Sequence, residues 1–369
     1  MAARPATRHI RERATPDLQA RAPIRDLTRG SASFRIDWDV RPAYDFVFSL
    51  SDDAGSSDDL PAADRTWLLE SKASLPADVR DATKRLFESE ICIHAGVMAV
   101  DRPEIRTADE FVAAISASEP NDVIRALFEE NPREPELATL IDRALGGDSS
   151  VLPAVEDLLP EHHRHDRMAI LRDPDKTVSD LVRVLAAWAE RFTPIESRVT
   201  AILERDYESR SGDRATLSPV DLIERTTNGI RWLPEGGVKR VILAPSYFSR
   251  PYNFLMSASD FRLFGYPVSD EALEAIDPLA APQSVVRLHR ALGDDTRLKI
   301  LKLLAGRDLY LTEIAQQLDL SKPTIKHHLA LLRSAGLVTI TEAGTVMYYS
   351  LRRNRLDDAS ADIKRFLIG

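Results

Sequence analysis

The sequence predicts an α+β fold, mainly helical: a long N-terminal helical domain with a small β-sheet, then a short C-terminal unit of two apposed helices and a β-hairpin. Apolar residues recur at helical spacing along most of the chain. β-rich segments are confined to Ser33–Val40, to the stretch between Gly229 and Tyr266, and to Leu337–Leu351. Length sets the scale, since 369 residues at ~150 per domain imply two or three domains, each able to bury a core. The expected division is a tail over 1–30, a large domain over 31–280, and the C-terminal unit over 281–369.

In the first thirty residues, Arg4, Arg8, Arg11, Arg13, Arg21, Arg25 and Arg29 stand among Pro and Ala with few large apolar side chains. Such a segment cannot offset its ordering entropy by burial, so a disordered basic tail is expected. An arm of this kind either adds nonspecific phosphate contacts or has no function. Next, Ser33–Val40 alternates like a strand and Pro42–Leu50 like the helix after it, while DDAGSSDD at Asp52–Asp59 is a loop. Helical spacing continues through Ala77–Ala99, Ala108–Ser116, Asn121–Glu129, Pro135–Leu145 and Val178–Tyr207. The last should kink near Pro194, which lacks the N–H that a helix interior uses. Gly229–Leu233, Val238–Ser246 and Phe261–Tyr266 are strands of a small sheet that joins the two ends of this domain. No internal repeat is present.

The C-terminal unit is the most specific feature. Ile314, Ala315 and Leu318 share one helical face, and Ile325, Leu329 and Leu332 repeat at i, i+4, i+7 on a second helix. Ser321 is its N-cap and Pro323 stands just inside its start, where a missing N–H costs nothing. With the apolar set turned inward, Lys322, Lys326, His327 and Ala330 face outward, with Thr324 at the edge. Such side chains suit base edges and phosphates. Gly336 ends the helix as an αL C-cap. Two β-rich runs then flank Thr341–Thr345, forming a hairpin. The fold of the unit is thus a winged helix-turn-helix.

The stretches ALGDDTRLKILKLL and LTEIAQQLDLSKPTIKHHLALLRSAGLV, with the ending from Gly344 to Tyr349 and Leu351, resemble the ArsR-type winged-helix transcriptional regulators over about residues 284–369. The resemblance implies a recognition helix from about Lys322 to Ser334. Lys326 and His327 stand at its two base-reading positions, and His328 matches a histidine usual before the Leu. It also implies a homodimer interface from Leu288–Leu292 and the last helix, around Asp357–Leu367, and most often repression. The candidate DNA-contacting residues are Ser321, Lys322, Thr324, Lys326, His327, His328 and Thr345. Two departures matter. The first helix of the motif has no Cys and the last has no His, so the family's metal-sensing positions lack their ligands. Thr345 also stands where the wing usually carries an Arg. The order of elements upstream, with RVILAPSYFSRPYNFLM and FRLFGYPV, resembles the N-terminal domain of long ArsR-type regulators, whose ligand the resemblance does not imply.

Charge supports the division. The chain holds 49 Lys and Arg against 58 Asp and Glu, but residues 284–369 hold 14 against 9, leaving 35 against 49 elsewhere. A basic module steered to phosphate is attached to an acidic one. The lone cysteine, Cys92, fits a reducing compartment. No run of ~18 apolar residues and no apolar stretch after the N-terminal arginines is present, so neither a membrane partner nor a secretory signal is expected. The expected location is cytoplasmic.

Tyr247, Phe248, Tyr252, Phe254, Phe261, Phe264 and Tyr266 fall close together. Either they wall an effector pocket, with Tyr247, Arg250, Tyr252, Asn253 and Arg262 as its contacts, or they are the core of the sheet. His162, His163, His165 and Asp166 are a metal-like cluster, but Arg164 and Arg167 oppose a cation, which favours a solvated helix start. Cys92 with His94 lies in an apolar run and is read as core, and His289 as interface filler. No metal and no cofactor are expected. Nor is catalysis: G-x-S-x-G, H-E-x-x-H and a Gly-rich phosphate loop are all missing. The expected function is a DNA-binding repressor of an operator in double-stranded DNA, modulated by a non-metal small molecule or protein. The alternative is a constitutive DNA-binding protein whose N-terminal domain binds another protein. An enzyme in residues 31–280 ranks last.

Overall fold

The structure, a computed structural model, describes residues 34–55, 59–87, 91–128, 135–161, 164–233, 237–273, 279, 281–343 and 346–368. The expected tail over 1–30 lies outside them, as do His162, His163 and Thr345.

The chain opens with a strand at Arg35–Trp38 (β1) and a helix at Ala43–Phe48 (α1). All six residues of α1 are buried, because it threads the centre of the helical core, with Phe46 edge-on to Phe111 and Phe192. Ala62–Ala73 (α2) and Ala77–Phe87 (α3) follow. Here the structure departs from expectation. Of the helix expected over Ala77–Ala99, Ala77–Phe87 is helical, whereas Ile91–Ala99 is a 3₁₀ segment. This run has almost no polar residue to face water and is buried on nearly every side, so it follows its surroundings rather than a helical stripe.

Then come Ala108–Ser116 (α4), Pro120–Leu127 (α5), Pro135–Leu145 (α6), Leu152–Leu158 (α7) and Arg164–Arg172 (α8). α4 begins at a capping box, in which Thr107 Oγ1 accepts from Glu110 N and the Glu110 carboxylate accepts from Thr107 N. The axis of this region is Pro174–Ser209 (α9), which runs through Pro194 as one helix of 36 residues. Leu181, Leu185, Trp188, Phe192, Val199 and Leu203 form its buried stripe. Tertiary packing along that stripe holds the helix together where a proline would otherwise end it.

Ser211–Thr216 (α10), Pro219–Thr226 (α11) and Ile230–Trp232 (β2) lead to Arg240–Ser246 (β3), Phe254–Ser257 (β4) and Phe261–Pro267 (β5). One sheet has the order β1-β3-β5-β4, with β1, β3 and β5 parallel and β4 antiparallel to β5. It joins the two ends of the region, as expected. Ile242, Ala244 and Leu263 face the helical core; Ile36, Val241, Leu243, Phe264 and Tyr266 face a second apolar cluster that contains Leu222 and Ile223 of α11 and Trp232 of β2.

The C-terminal unit consists of Gln283–Leu292 (α12), Asp295–Gly306 (α13), Leu309–Tyr310 (β6), Leu311–Leu318 (α14), Lys322–Ser334 (α15), Val338–Ala343 (β7), Val346–Leu351 (β8) and Arg353–Ile368 (α16). The fold is therefore α+β and mainly helical, ending in a winged helix-turn-helix. Among the described residues no helix is long and apolar enough to cross a membrane.

One strand is not where the sequence placed it. β2 does not join the first sheet but adds to the wing, whose order is β2-β7-β8-β6, and it runs parallel to β7 with Ile230 opposite Ile340. Ile340 N donates to Gly229 O at 2.8 Å. Alternation reveals that a segment is a strand, not which edge it meets. Gly229 permits this pairing: its φ is +117°, and a Cβ there would lie 3.0 Å from Val338 O. A strand from the 31–280 stretch thus completes a sheet of the 281–369 stretch.

Candidate nucleic-acid interface

The second helix of the motif, α15, is placed by its cap and its buried face. Ser321 caps α15, its Oγ accepting from Thr324 N at 3.3 Å. The turn before it is short because Asp319 adopts the left-handed conformation at the end of α14. Ile325, Leu329 and Leu332 are buried in one cluster with Ile314 and Ala315 of α14, which locks the rotation of α15 about its axis. That rotation leaves Ser321, Lys322, Thr324, Lys326 and His327 exposed on one side. The arrangement presents two ammonium groups, an imidazole and two hydroxyls to solvent from a helix narrow enough for a major groove. β7 and β8 reach Ala343 and Val346, so the hairpin beside the helix is also in place.

His328 departs from the expected contact set. It is half-buried, with Nδ1 3.9 Å from Asp294 Oδ1, and Asp294 caps α13 by accepting from Arg297 N at 2.9 Å. One residue past His327 is ~100° further round the helix, enough to move it off the exposed face. Leu288, expected at a dimer surface, is also inside the core of the unit. The far end of α15 is likewise committed: Arg333 turns inward beside Tyr349 and Tyr252, and burial lowers its pKa.

Side chains that the sequence did not single out connect this unit to the region upstream. Asn228 Nδ2 donates to Ser334 O at 3.3 Å, at the end of α15, while Asn228 Oδ1 accepts from Arg352 Nη1 at 2.9 Å. Glu224 of α11 accepts from Thr339 Oγ1 at 3.3 Å and pairs with Arg231 at 3.1 Å. A second junction lies at α12, where Ser284 N donates to Asp270 Oδ2 at 2.7 Å and Arg287 pairs with Asp59. Their only signal in the sequence is Asn228 before Gly229, a turn pair.

The expected effector contacts are structural instead. Arg250 is almost fully buried and donates to Asp59 O, to Val268 O and to Asp270. Arg262 Nη1 donates to the carbonyls of Ala258 and Phe261, both at 2.8 Å. Tyr247 is fully buried with its hydroxyl donating to Asp64. Asn253 donates to Thr227 O at 2.8 Å, and Tyr252 sits near Arg333, so these two belong to the junction with the C-terminal unit. Tyr247, Phe248, Phe261 and Phe264 are thus buried core of the sheet rather than pocket wall, and the guanidiniums placed among the rings satisfy donors on nearby carbonyls.

Below them lies a buried carboxylate. Asp45 accepts from Ser246 Oγ, from Tyr247 N at 2.7 Å and from Phe248 N at 3.1 Å. These bonds lower its pKa, yet burial outweighs them and pushes it up to about 6. Burial alone raises the Cys92 thiol to about 12, which makes it an inert core residue. Among the described residues no group of three or more His, Cys, Asp or Glu is placed to hold a metal ion.

Residues 294–339 match the family model described as bacterial regulatory protein, arsR family. The transcriptional repressor SdpR of Bacillus subtilis is 41% identical over 72 residues, which span 80% of that protein. The chain belongs to the ArsR family. The HTH-type transcriptional regulator KmtR of Mycobacterium tuberculosis is 38% identical over 82 residues, 63% of its length. A cadmium resistance transcriptional regulatory protein, the CadC homolog of Staphylococcus aureus, is 37% identical over 71 residues, 59% of its length. These matches cover 20%, 22% and 19% of this chain. As an ArsR-family member it is a DNA-binding transcriptional regulator, with a repressor among its relatives.

Proposed function

We propose that this chain is a homodimeric repressor whose affinity for its operator is set by a non-metal effector or partner acting on residues 31–280. The carrying observation is the parallel pairing of β2 with β7, because a wing sheet that borrows a strand from upstream feels any movement of that strand. Lys326 and His327 read base edges in the major groove, while Lys322, Ser321 and Thr324 hold phosphates at the N-terminal end of α15. Thr345 gives the wing a weak contact at most. α16 has no buried residue and exposes Leu356, Leu367 and Ile368, which supports its pairing with a second copy. A two-fold dimer would set two α15 helices in successive major grooves, ~34 Å apart. The protein would act in the cytoplasm, and not as an enzyme.

The test is binding of the full chain to DNA from upstream of its own gene, measured across salt concentrations. Affinity should fall steeply with salt and stoichiometry should be two chains per site. Preference for that DNA over random sequence that persists in Lys326→Ala/His327→Ala would reject the reading helix. An operator affinity unmoved by anything that binds residues 31–280 would instead leave the constitutive alternative.

A further inference from the structure

The sheet face that packs on α11 ends in an aromatic corner that already holds a cation. Trp38, the last residue of β1, lies edge-on to Tyr207 at 5.5 Å and to Tyr266 of β5 at 5.9 Å between ring centroids. The Arg214 guanidinium carbon sits 3.7 Å from the Tyr207 centroid and 5.6 Å from that of Trp38, and Arg214 donates to Tyr207 O. Behind it, Arg210 covers Tyr266 at 4.7 Å and is neutralised by the fully buried Asp206, whose carboxylate also accepts from Ser269 N at 2.8 Å. Ring faces attract cations through their quadrupole, and several rings around one charge select a cation over neutral or anionic groups.

Arg214 belongs to α10, a short element with no buried residue. α10 has six residues, and its Asp213 pairs with Arg225 of α11 at 3.8 Å. The corner also stands at the carboxyl ends of parallel strands, the edge at which open parallel sheets hold ligands. We propose that Trp38 and Tyr207, backed by Tyr266, are a seat for a small quaternary ammonium cation, and that Arg214 is its internal occupant. Exchange keeps the charge balance: Asp206 and Arg210 neutralise each other, so an incoming cation replaces the one that leaves. Release of Arg214 frees α10, which leads directly into α11 and β2, the arm paired to the wing. The inference rests on the effector-regulated reading above and gives that effector a chemical class.

The experiment uses the full chain and tetramethylammonium chloride, with sodium chloride at equal ionic strength as the control. Calorimetry should show Arg214→Ala binding tetramethylammonium about tenfold more tightly than the parent, since the internal competitor is gone. Adding Trp38→Ala, or Tyr207→Ala in its place, should abolish that binding while the melting temperature confirms a folded chain. Saturating cation should also shift the operator affinity of Arg214→Ala. Equal affinity in parent and Arg214→Ala, binding that survives loss of the rings, or an operator affinity unmoved at saturation would each overturn the proposal. Operator binding by the parent without cation is measured first and does not involve the seat, so a failure of the DNA reading is seen separately.

Discussion

The outward face of α15 and the α11–β2 arm adjoin the same wing sheet but follow opposite rules. On α15, Lys322, Lys326 and His327 are exposed, and the fold is held by the buried face behind them. On the arm, Glu224 and Asn228 spend their polar atoms on Thr339, Arg231, Arg352 and Ser334, and Gly229 spends its conformational freedom on a close approach to Val338. Groups kept free of the fold can be removed without unfolding it. Groups that join two parts of the fold cannot, and a change in one part passes through them to the other.

The largest expected effect tests the free side. Lys326→Ala/His327→Ala should lose about 100-fold or more in preference for operator over random DNA, at ~1–3 kcal/mol per base-reading side chain, with the melting temperature unchanged. A large drop in melting temperature would mean that these side chains belong to the fold and would erase the contrast. Next, Asn228→Ala should destabilise the chain by ~1–3 kcal/mol, because it leaves Arg352 without its amide partner and takes a donor from the end of α15. Chemical denaturation of both variants, compared side by side, measures the difference between the two regions.

Upstream, the fold responds to acidity through Asp45. Asp45 has a folded pKa raised to about 6 by burial, above its ordinary value of 3.8. The stability linked to its proton is therefore fully present below the ordinary value and is lost as pH rises through about 6. Relative to Asp45→Asn, the parent should melt progressively higher as pH falls from about 7 to about 5. Parallel curves would show that Asp45 does not carry this dependence. The smallest effect belongs to Lys322→Ala, which should weaken all DNA about equally and reduce the salt slope by about one. A sequence-dependent loss would move Lys322 from phosphate to base contact.

The C-terminal unit was legible because its signals are local. Ser321, Pro323, the Ile325, Leu329 and Leu332 repeat and Gly336 each act within a few residues, and the cap and buried face form as read. His328 failed at the resolution of that reading, since one residue separates an exposed from a half-buried face. Upstream, α4 and α6 were legible by the same periodicity, whereas the 3₁₀ run at Ile91–Ala99 has no polar face to report its state. The destination of β2 was illegible for a different reason. Its partner is more than a hundred residues away, and nothing in Ile230–Trp232 distinguishes one parallel edge from another. Arg250 and Arg262 likewise look like ligand contacts in sequence, because the carbonyls that satisfy them carry no residue identity.

In the proposed mechanism the upstream arm, not only the helix-turn-helix, sets the grip on DNA. Gly229→Ala tests that coupling, since a Cβ at φ +117° and 3.0 Å from Val338 O should loosen β2 from β7 without touching α15. Hydrogen exchange at the Ile340 amide, which donates to Gly229 O, reports the loosening while operator affinity is measured on the same protein. Protection at Ile340 should fall and operator affinity should change with it. Lost protection with operator affinity unchanged would contradict that mechanism.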